Sequence, residues 1–211
     1  MRLGIDVSDA QGHIDWKKVR AVGVEFAILR ITRRNGKADL KLKDNIKGCR
    51  DNGIPMEFYK YSYAMNNTGA KKEALRVVEV LRECGIMPGK GTVIWADIEY
   101  DRQLALGKTA VLEIYKAFKE VIGNSGYRCG LYMSRYAYEN QMDASAIHDD
   151  LWLARYYAGN KLMKFGTVPD EAKKPVVAAG SGAVLNGWQF TSHGRVSGID
   201  GNVDMNIRYT E

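Results

Sequence analysis

Strand-like runs at 3–7, 24–31, 56–63, 92–98 and 127–133 are each followed by a helical stretch, at 15–22, 39–51, 69–84, 109–122 and, more weakly, 136–147. Three further strand-like runs, 151–156, 184–191 and 202–207, follow with no convincing helix between them. Repeated strand–helix units favour a parallel sheet, because a crossover helix returns the chain to the same edge. Eight strands suggest closure, so the expected fold is α/β: an irregular TIM-like barrel of five βα units and three strands, (β/α)5β3, with residues 1–211 as one barrel domain. An open doubly wound sheet competes, but no Gly-rich phosphate loop follows the first strand. In the third helix Ala74, Leu75, Val78 and Leu81 recur at helical spacing; in the fourth, Leu112, Tyr115, Phe118 and Val121 or Ile122 do so. The long connection 157–183 is of a length usually functional or mobile.

The stretch TVIWADIEYD, 92–101, puts two carboxylates at the end of an apolar strand. Strand alternation places Val93, Trp95, Asp97 and Glu99 on one face, and Ile94, Ala96 and Ile98 on the other. If the apolar face packs on helices, the acids point into whatever the sheet encloses. A strand end reaching solvent, with both acids paired to Lys or Arg, is the bland alternative. Two more acids repeat the pattern: Asp6 opposes Leu3, Ile5 and Val7, and Asp204 faces away from Val203 and Met205. Closing the barrel makes the first and last strands neighbours and brings Asp6 near Asp204. Four acids at strand ends far apart in sequence favour a carboxylate-based active site, since crowded buried carboxyls acquire the raised pKa a general acid needs.

Aromatic side chains accompany the acids: Tyr59, Tyr61 and Tyr63 on one face, with Tyr132, Trp152, Tyr156 and Trp188 on later strands. Rings stack on the apolar faces of sugars, whose hydroxyls prefer carboxylates and amides, so the set suits a carbohydrate. Many of these rings also suit a core. Metal ligation is the rival chemistry for clustered acids, but His13, His148 and His193 lack ligand spacing and no EF-hand pattern occurs. No G-x-S-x-G elbow is present, and no cysteine lies beside a credible base.

The net charge of +6 draws the chain toward polyanions, including an anionic cell wall. The Lys and Arg residues are scattered and no nucleic-acid-binding signature appears, so no specific nucleic acid is expected. No 18-residue apolar run occurs, so no membrane insertion is expected. Cys49, Cys84 and Cys129 are far apart and odd in number, which suits reduced core thiols. MRLGIDVS enters a strand pattern without a signal-peptide core, which suggests synthesis in a reducing cytoplasm.

The segments GIDVSDAQGHIDW (4–16), GVEFAILRIT (23–32), FYKYSYA (58–64), VIWADIEY (93–100), LWLARY (151–156) and WQFTSHGRVSGIDGNVDMN (188–206) resemble, in order, the lysozymes of glycoside hydrolase family 25. The resemblance runs nearly end to end. It implies cleavage of the β-1,4 bond between N-acetylmuramic acid and N-acetylglucosamine, with Glu99 as general acid/base and Asp97 assisting through the substrate's N-acetyl group. Asp6 and Asp204 would hold the sugar and tune the pair. Tyr61, Tyr63, Tyr132, Trp152 and Gln189 are the candidate substrate contacts; no cofactor and no metal are implied. The expected partner is the glycan strand of bacterial peptidoglycan, with a separate or C-terminal cell-wall-binding domain as a further candidate. The implied setting is a bacterial host cytoplasm, with action on the wall after release, through a holin if the source is a phage. Four places depart from the family pattern, the loop 157–183 among them. Lys60 replaces a His or aromatic, Arg33-Arg34-Asn35 replaces small and acidic residues after the second strand, and Ala10 replaces a bulky residue. They bear on substrate preference rather than on the signature acids.

Overall fold

The structure is a computed structural model and describes residues 1–89 and 91–209. Strands β1 (Arg2–Val7), β2 (Phe26–Arg30), β3 (Met56–Tyr61), β4 (Val93–Asp97), β5 (Arg128–Ser134) and β6 (Asp150–Ala154) pair in sequence order, all parallel. An extra two-residue strand, β7 (Met163–Lys164), lies within the long connection 157–183. It attaches to β8 (Val184–Arg195), which pairs parallel to β6, and β9 (Val203–Arg208) runs antiparallel between β8 and β1. Without β7, the other eight strands close the expected irregular TIM-like barrel.

The reversed last strand has a simple cause. The connection 196–202 is too short for the dozen-residue crossover that a parallel return needs, so β8 and β9 form a hairpin. The reversal carries Asp204 to the same end of the barrel as Asp6, because the start of β9 lies beside the end of β1. Asp6 and Asp204 are register partners.

The helices α1 (Trp16–Ala21), α2 (Leu42–Asp51) and α3 (Asn67–Glu83) lie between strands, as do a one-turn helix α4 (Asp101–Leu104) after β4, α5 (Lys108–Asn124) and α6 (Arg135–Asn140). Side chains of Asp15, Asn66 and Ser134 cap α1, α3 and α6 by accepting backbone N–H bonds. The expected stripe of α3 needs one correction. Its buried face is Ala70, Ala74, Val77, Val78, Val80 and Leu81, packed against α5, while Leu75 is 54% exposed. Leu75 follows Ala74 by one position, about 100° round the helix, which carries it over the rim of the contact. The weak helix expected at 136–147 is α6 followed by a 3-10 turn at Ala144–Ala146.

Two apolar layers result. Outward-facing residues such as Ile5, Val7, Ile94, Ala96 and Leu131 pack under the helices. Phe26, Ile28, Val93, Trp95, Tyr132, Trp152 and Ala154 fill the barrel itself. Glycine makes room for this filling: a Cβ at Gly130 would lie 2.3 Å from the Trp95 ring. The inner end is plugged by Glu57, which accepts from Trp95 Nε1 at 2.7 Å and pairs with Arg208 at 3.0 Å. A filled interior confines any cleft to the outer mouth. Among the described residues no helix is long and apolar enough to cross a membrane.

Candidate active site

A cleft of about 340 Å³ occupies the mouth where the parallel strands end. Asp6, Asp97, Glu99 and Asp204 line it together with Tyr61, Tyr63, Tyr132, Trp152 and Gln189, so the four acids and the five candidate contacts meet here, whereas Trp188 is buried in the outer core against Phe190. Arg30, Thr32, Arg33, Arg34 and Tyr59 complete the lining. A second hollow of about 440 Å³ adjoins it, walled by Ser134, Arg135, Tyr136, Glu139, Ala154, Arg155 and Tyr156; Glu99 and Tyr132 line both. Glu99 therefore stands on the divide between two sugar-sized spaces.

Two of the acids, Asp6 and Asp204, are held by amides. Gln189 Nε2 donates to Asp6 Oδ2 at 2.9 Å and to Asp204 Oδ2 at 3.0 Å. Its Oε1 accepts from the hydroxyls of Tyr132 at 2.7 Å and Tyr156 at 2.6 Å. Asn206 Nδ2 donates to Asp6 Oδ2 at 2.7 Å, and its Oδ1 accepts from Trp152 Nε1 at 2.9 Å. The amides thus link donor rings to acceptor carboxylates. Trp152 and Tyr132 are almost wholly buried and belong to this web, whereas Tyr61 and Tyr63 are half-buried with ring centroids 4.8 Å apart.

The backbone beyond β4 is also fixed. Ser62 N donates to Asp97 O at 2.8 Å, and Ile98 N donates to Tyr132 O at 3.0 Å. These bonds extend sheet pairing on both sides of the Asp97–Glu99 turn. Behind β3, Lys60 is 2% exposed, donates to Tyr61 O at 2.6 Å and lies 3.6 Å from Glu73. Glu73 in turn accepts from Ser62 Oγ at 2.8 Å and Tyr63 N at 3.0 Å, bracing the segment that presents both tyrosines.

Burial raises the pKa of all four acids. Asp6 is pushed up to about 6, although the Asn206 and Gln189 hydrogen bonds hold it back. Glu99 is pushed up to about 7 by burial and then by the Asp6 charge. Asp204 reaches about 8 for the same reasons, with Glu99 adding to the repulsion. Asp97, 4% exposed, is raised well above the carboxylate range by burial, then by Glu99 and Asp6, while Lys60 opposes the shift. Its Oδ1 is buried without a hydrogen-bond partner among the described residues. An orphaned buried acceptor costs roughly 1–3 kcal/mol, a cost that a ligand donor would remove.

This crowding has a stability consequence. A carboxyl with a raised folded pKa stabilises the fold only while it keeps its proton. For Asp204 the contribution is complete below about pH 4, where the unfolded chain is protonated too, and is lost as the pH rises through about 8. Asp204→Asn, whose amide oxygen still accepts from Gln189, is therefore expected to raise the melting temperature at pH 8.5. The rise should be roughly 2–4 °C, the shift about 1 kcal/mol gives at this size. No change is expected at pH 4. Melting followed by circular dichroism checks this; equal destabilisation at both pH values would contradict it.

The family model described as Glycosyl hydrolases family 25 matches residues 5–199. The chain belongs to that family. Among curated proteins it is similar to an autolytic lysozyme of Clostridium acetobutylicum, 23% identical over 207 residues, covering 96% of this chain and 54% of that protein. Among solved structures it is similar to the modular autolysin LytC of Streptococcus pneumoniae, with 25% identity, a TM-score of 0.77, and coverage of 99% of this chain and 46% of that one. The catalytic domain of endolysin ply40 from bacteriophage P40 of Listeria monocytogenes shares the fold, with 24% identity, a TM-score of 0.76, and coverage of 100% and 94%. The chain thus spans about half the length of the autolytic lysozyme and of LytC.

Two residues beside the acids of this family 25 chain, Asn206 in the web and Arg30 in the cleft wall, escaped selection as site residues although their signal was present. Asn206 shares Asp204's face two positions on, and Arg30 shares the face of Phe26 and Ile28. Arg30 pairs with Asp39 at 2.7 Å and also with Asp9, so its charge is spent within the wall. Tyr156 lies just past the end of β6, and its hydroxyl contact with Gln189 and its place in the second hollow tie it to the site. Among the described residues no group of three or more His, Cys, Asp or Glu side chains is arranged to hold a metal ion.

Proposed function

We propose that the protein hydrolyses the glycan strands of bacterial peptidoglycan, cutting the β-1,4 bond from N-acetylmuramic acid to N-acetylglucosamine. The observation that carries this reading is the pairing of a buried, unpartnered Asp97 Oδ1 with a Glu99 whose pKa lies at about 7. Family membership and similarity to autolysins support it, as does a structure of LytC in complex with a synthetic peptidoglycan ligand.

In this mechanism the muramoyl residue occupies the hollow that holds all four acids, and the N-acetylglucosamine leaving group occupies the one beyond Glu99. Glu99, protonated below about pH 7, gives its proton to the glycosidic oxygen as that oxygen leaves C1. The carbonyl oxygen of the 2-acetamido group bonds to C1 from the opposite face. In the complex the acetamido N–H donates to Asp97 Oδ1 and, with the Lys60 charge, favours the carboxylate, which takes up the acetamido proton as the oxazoline ring forms. Glu99, now a carboxylate, removes a proton from the water that attacks C1. The ring opens, and Asp97 returns its proton to nitrogen. Asp6 and Asp204, fixed by Gln189 and Asn206, hold sugar hydroxyls, and the Asp6 charge keeps the Glu99 proton by repulsion.

Digestion products test the bond assignment. Purified peptidoglycan is incubated with the protein, reduced with borohydride and analysed by mass spectrometry. The expected new ends are muramitol. Glucosaminitol ends would move the cleaved bond to the other linkage, and no new ends would leave a glycan-binding protein.

A further inference from the structure

The segment after β2 is a tight hairpin. Thr32 and Ala38 form an antiparallel bridge, Arg33 N donates to Lys37 O at 2.9 Å, and Gly36 turns the chain at φ 77°. Arg76 on α3 donates to Gly36 O at 3.0 Å and anchors the turn from outside. Arg33 and Arg34 on this hairpin both line the acid-bearing hollow. Neither has a carboxylate partner among the described residues, unlike Arg30 beside them. Arg34 is held by rings instead: its Cζ lies 4.9 Å from the centroid of Tyr63 and 5.6 Å from that of Tyr100, and Nη2 is 3.5 Å from the Tyr100 hydroxyl. Rings orient a guanidinium without neutralising it. Arg33 is steadied only by Nε donating to Ala38 O at 3.3 Å. Next to them in the chain, the buried Thr32 Oγ1 also lines the hollow and has no hydrogen-bond partner among the described residues.

A neutral sugar ring has no use for two free guanidiniums. The muramoyl residue, which the proposed function places in this hollow, differs from its neighbour in the strand by one acidic feature. Its 3-oxygen carries a lactyl group ending in a carboxylate, or in an amide to a peptide that itself carries carboxylates. We infer that Arg33 and Arg34 are specificity-determining residues that bind a carboxylate on the 3-O substituent of the muramoyl residue, with the Thr32 hydroxyl as a further contact. The inference rests on the muramidase reading. Fork-shaped guanidiniums suit a planar carboxylate, and the stacked, anchored hairpin presents them preorganised. The two signs of charge also have separate roles. The acidic end of the hollow acts on C1, and the basic end reads what the ring carries.

The test compares kcat/KM of the protein and of the double variant Arg33→Gln/Arg34→Gln on three soluble glycan strands. One keeps its stem peptides, one is stripped to the lactyl carboxylate, and one is stripped and converted to the neutral lactyl methylamide. The unchanged protein is expected to lose roughly tenfold on the methylamide, the order of one charge-assisted bond. The double variant should lose a similar factor on a carboxylate-bearing strand and nothing further on the methylamide. A loss seen on stripped strands assigns the lactyl carboxylate, and one confined to peptide-bearing strands assigns a stem carboxylate. Equal slowing of the variant on all three, or no slowing on any, overturns the inference and leaves the muramidase reading standing. No cleavage of any strand by the unchanged protein overturns the muramidase reading first. Arg34→Lys, which keeps the charge but not the planar fork, should recover only part of the discrimination, and circular dichroism melts verify folding of each variant.

Discussion

Glu99→Gln is expected to lower the rate of reducing-end release from peptidoglycan by about 10²- to 10⁴-fold, the range of a general acid–base group. The amide keeps the shape of the side chain but has no proton to give to the leaving oxygen. It also removes a charge from a cluster in which burial and Asp6 already hold Glu99 up to about 7. The variant should therefore melt no lower than the parent at pH 8, which separates a chemical loss from a folding one. In the parent, the rate should fall as the pH rises through about 7, since Glu99 loses the proton that the first step consumes. A variant retaining more than a tenth of the activity, with an unchanged pH profile, would remove Glu99 from the mechanism.

Asp97→Asn should cost about 10²- to 10³-fold, by a different route. Its Oδ1 is buried with no partner among the described residues, and the carboxylate accepts the acetamido N–H in the proposed mechanism. The asparagine amide still fills the space but cannot take up the proton as the oxazoline forms. A thiazoline mimic of that ring should inhibit the parent and bind the variant less tightly. A glycosyl adduct on Asp97, seen as a mass increase of the intact protein on a slow substrate, would instead make this carboxylate a nucleophile and sink the N-acetyl route.

Asp6, Asp97 and Glu99 were legible because a strand displays every second side chain on one face, and an acid set opposite a wholly apolar face is conspicuous. The same rule reaches Arg30, which follows Phe26 and Ile28 on its face, and Asn206, which stands out less because Asp204 lies two positions before it. The buried stripe of α5 was legible for the analogous helical reason, with Leu112, Tyr115, Phe118 and Ile122 all buried. The exposure of Leu75 was not, because periodicity defines a face without defining its edges; the position of the neighbouring helix decides where the contact stops.

The sequence by itself determined the number and kind of the main elements, the side of each strand that carries an acid, and the family. These properties depend on local spacing, which the chain holds whether or not it is folded. The direction of β9, the bridging of Asp6 and Asp204 by Gln189, the orphaned oxygen of Asp97 and the packing of Arg34 against both Tyr63 and Tyr100 were decided only by the tertiary structure. Each depends on which atoms meet between segments separated along the chain, and burial and hydrogen bonding, hence the pKa values, follow from those meetings.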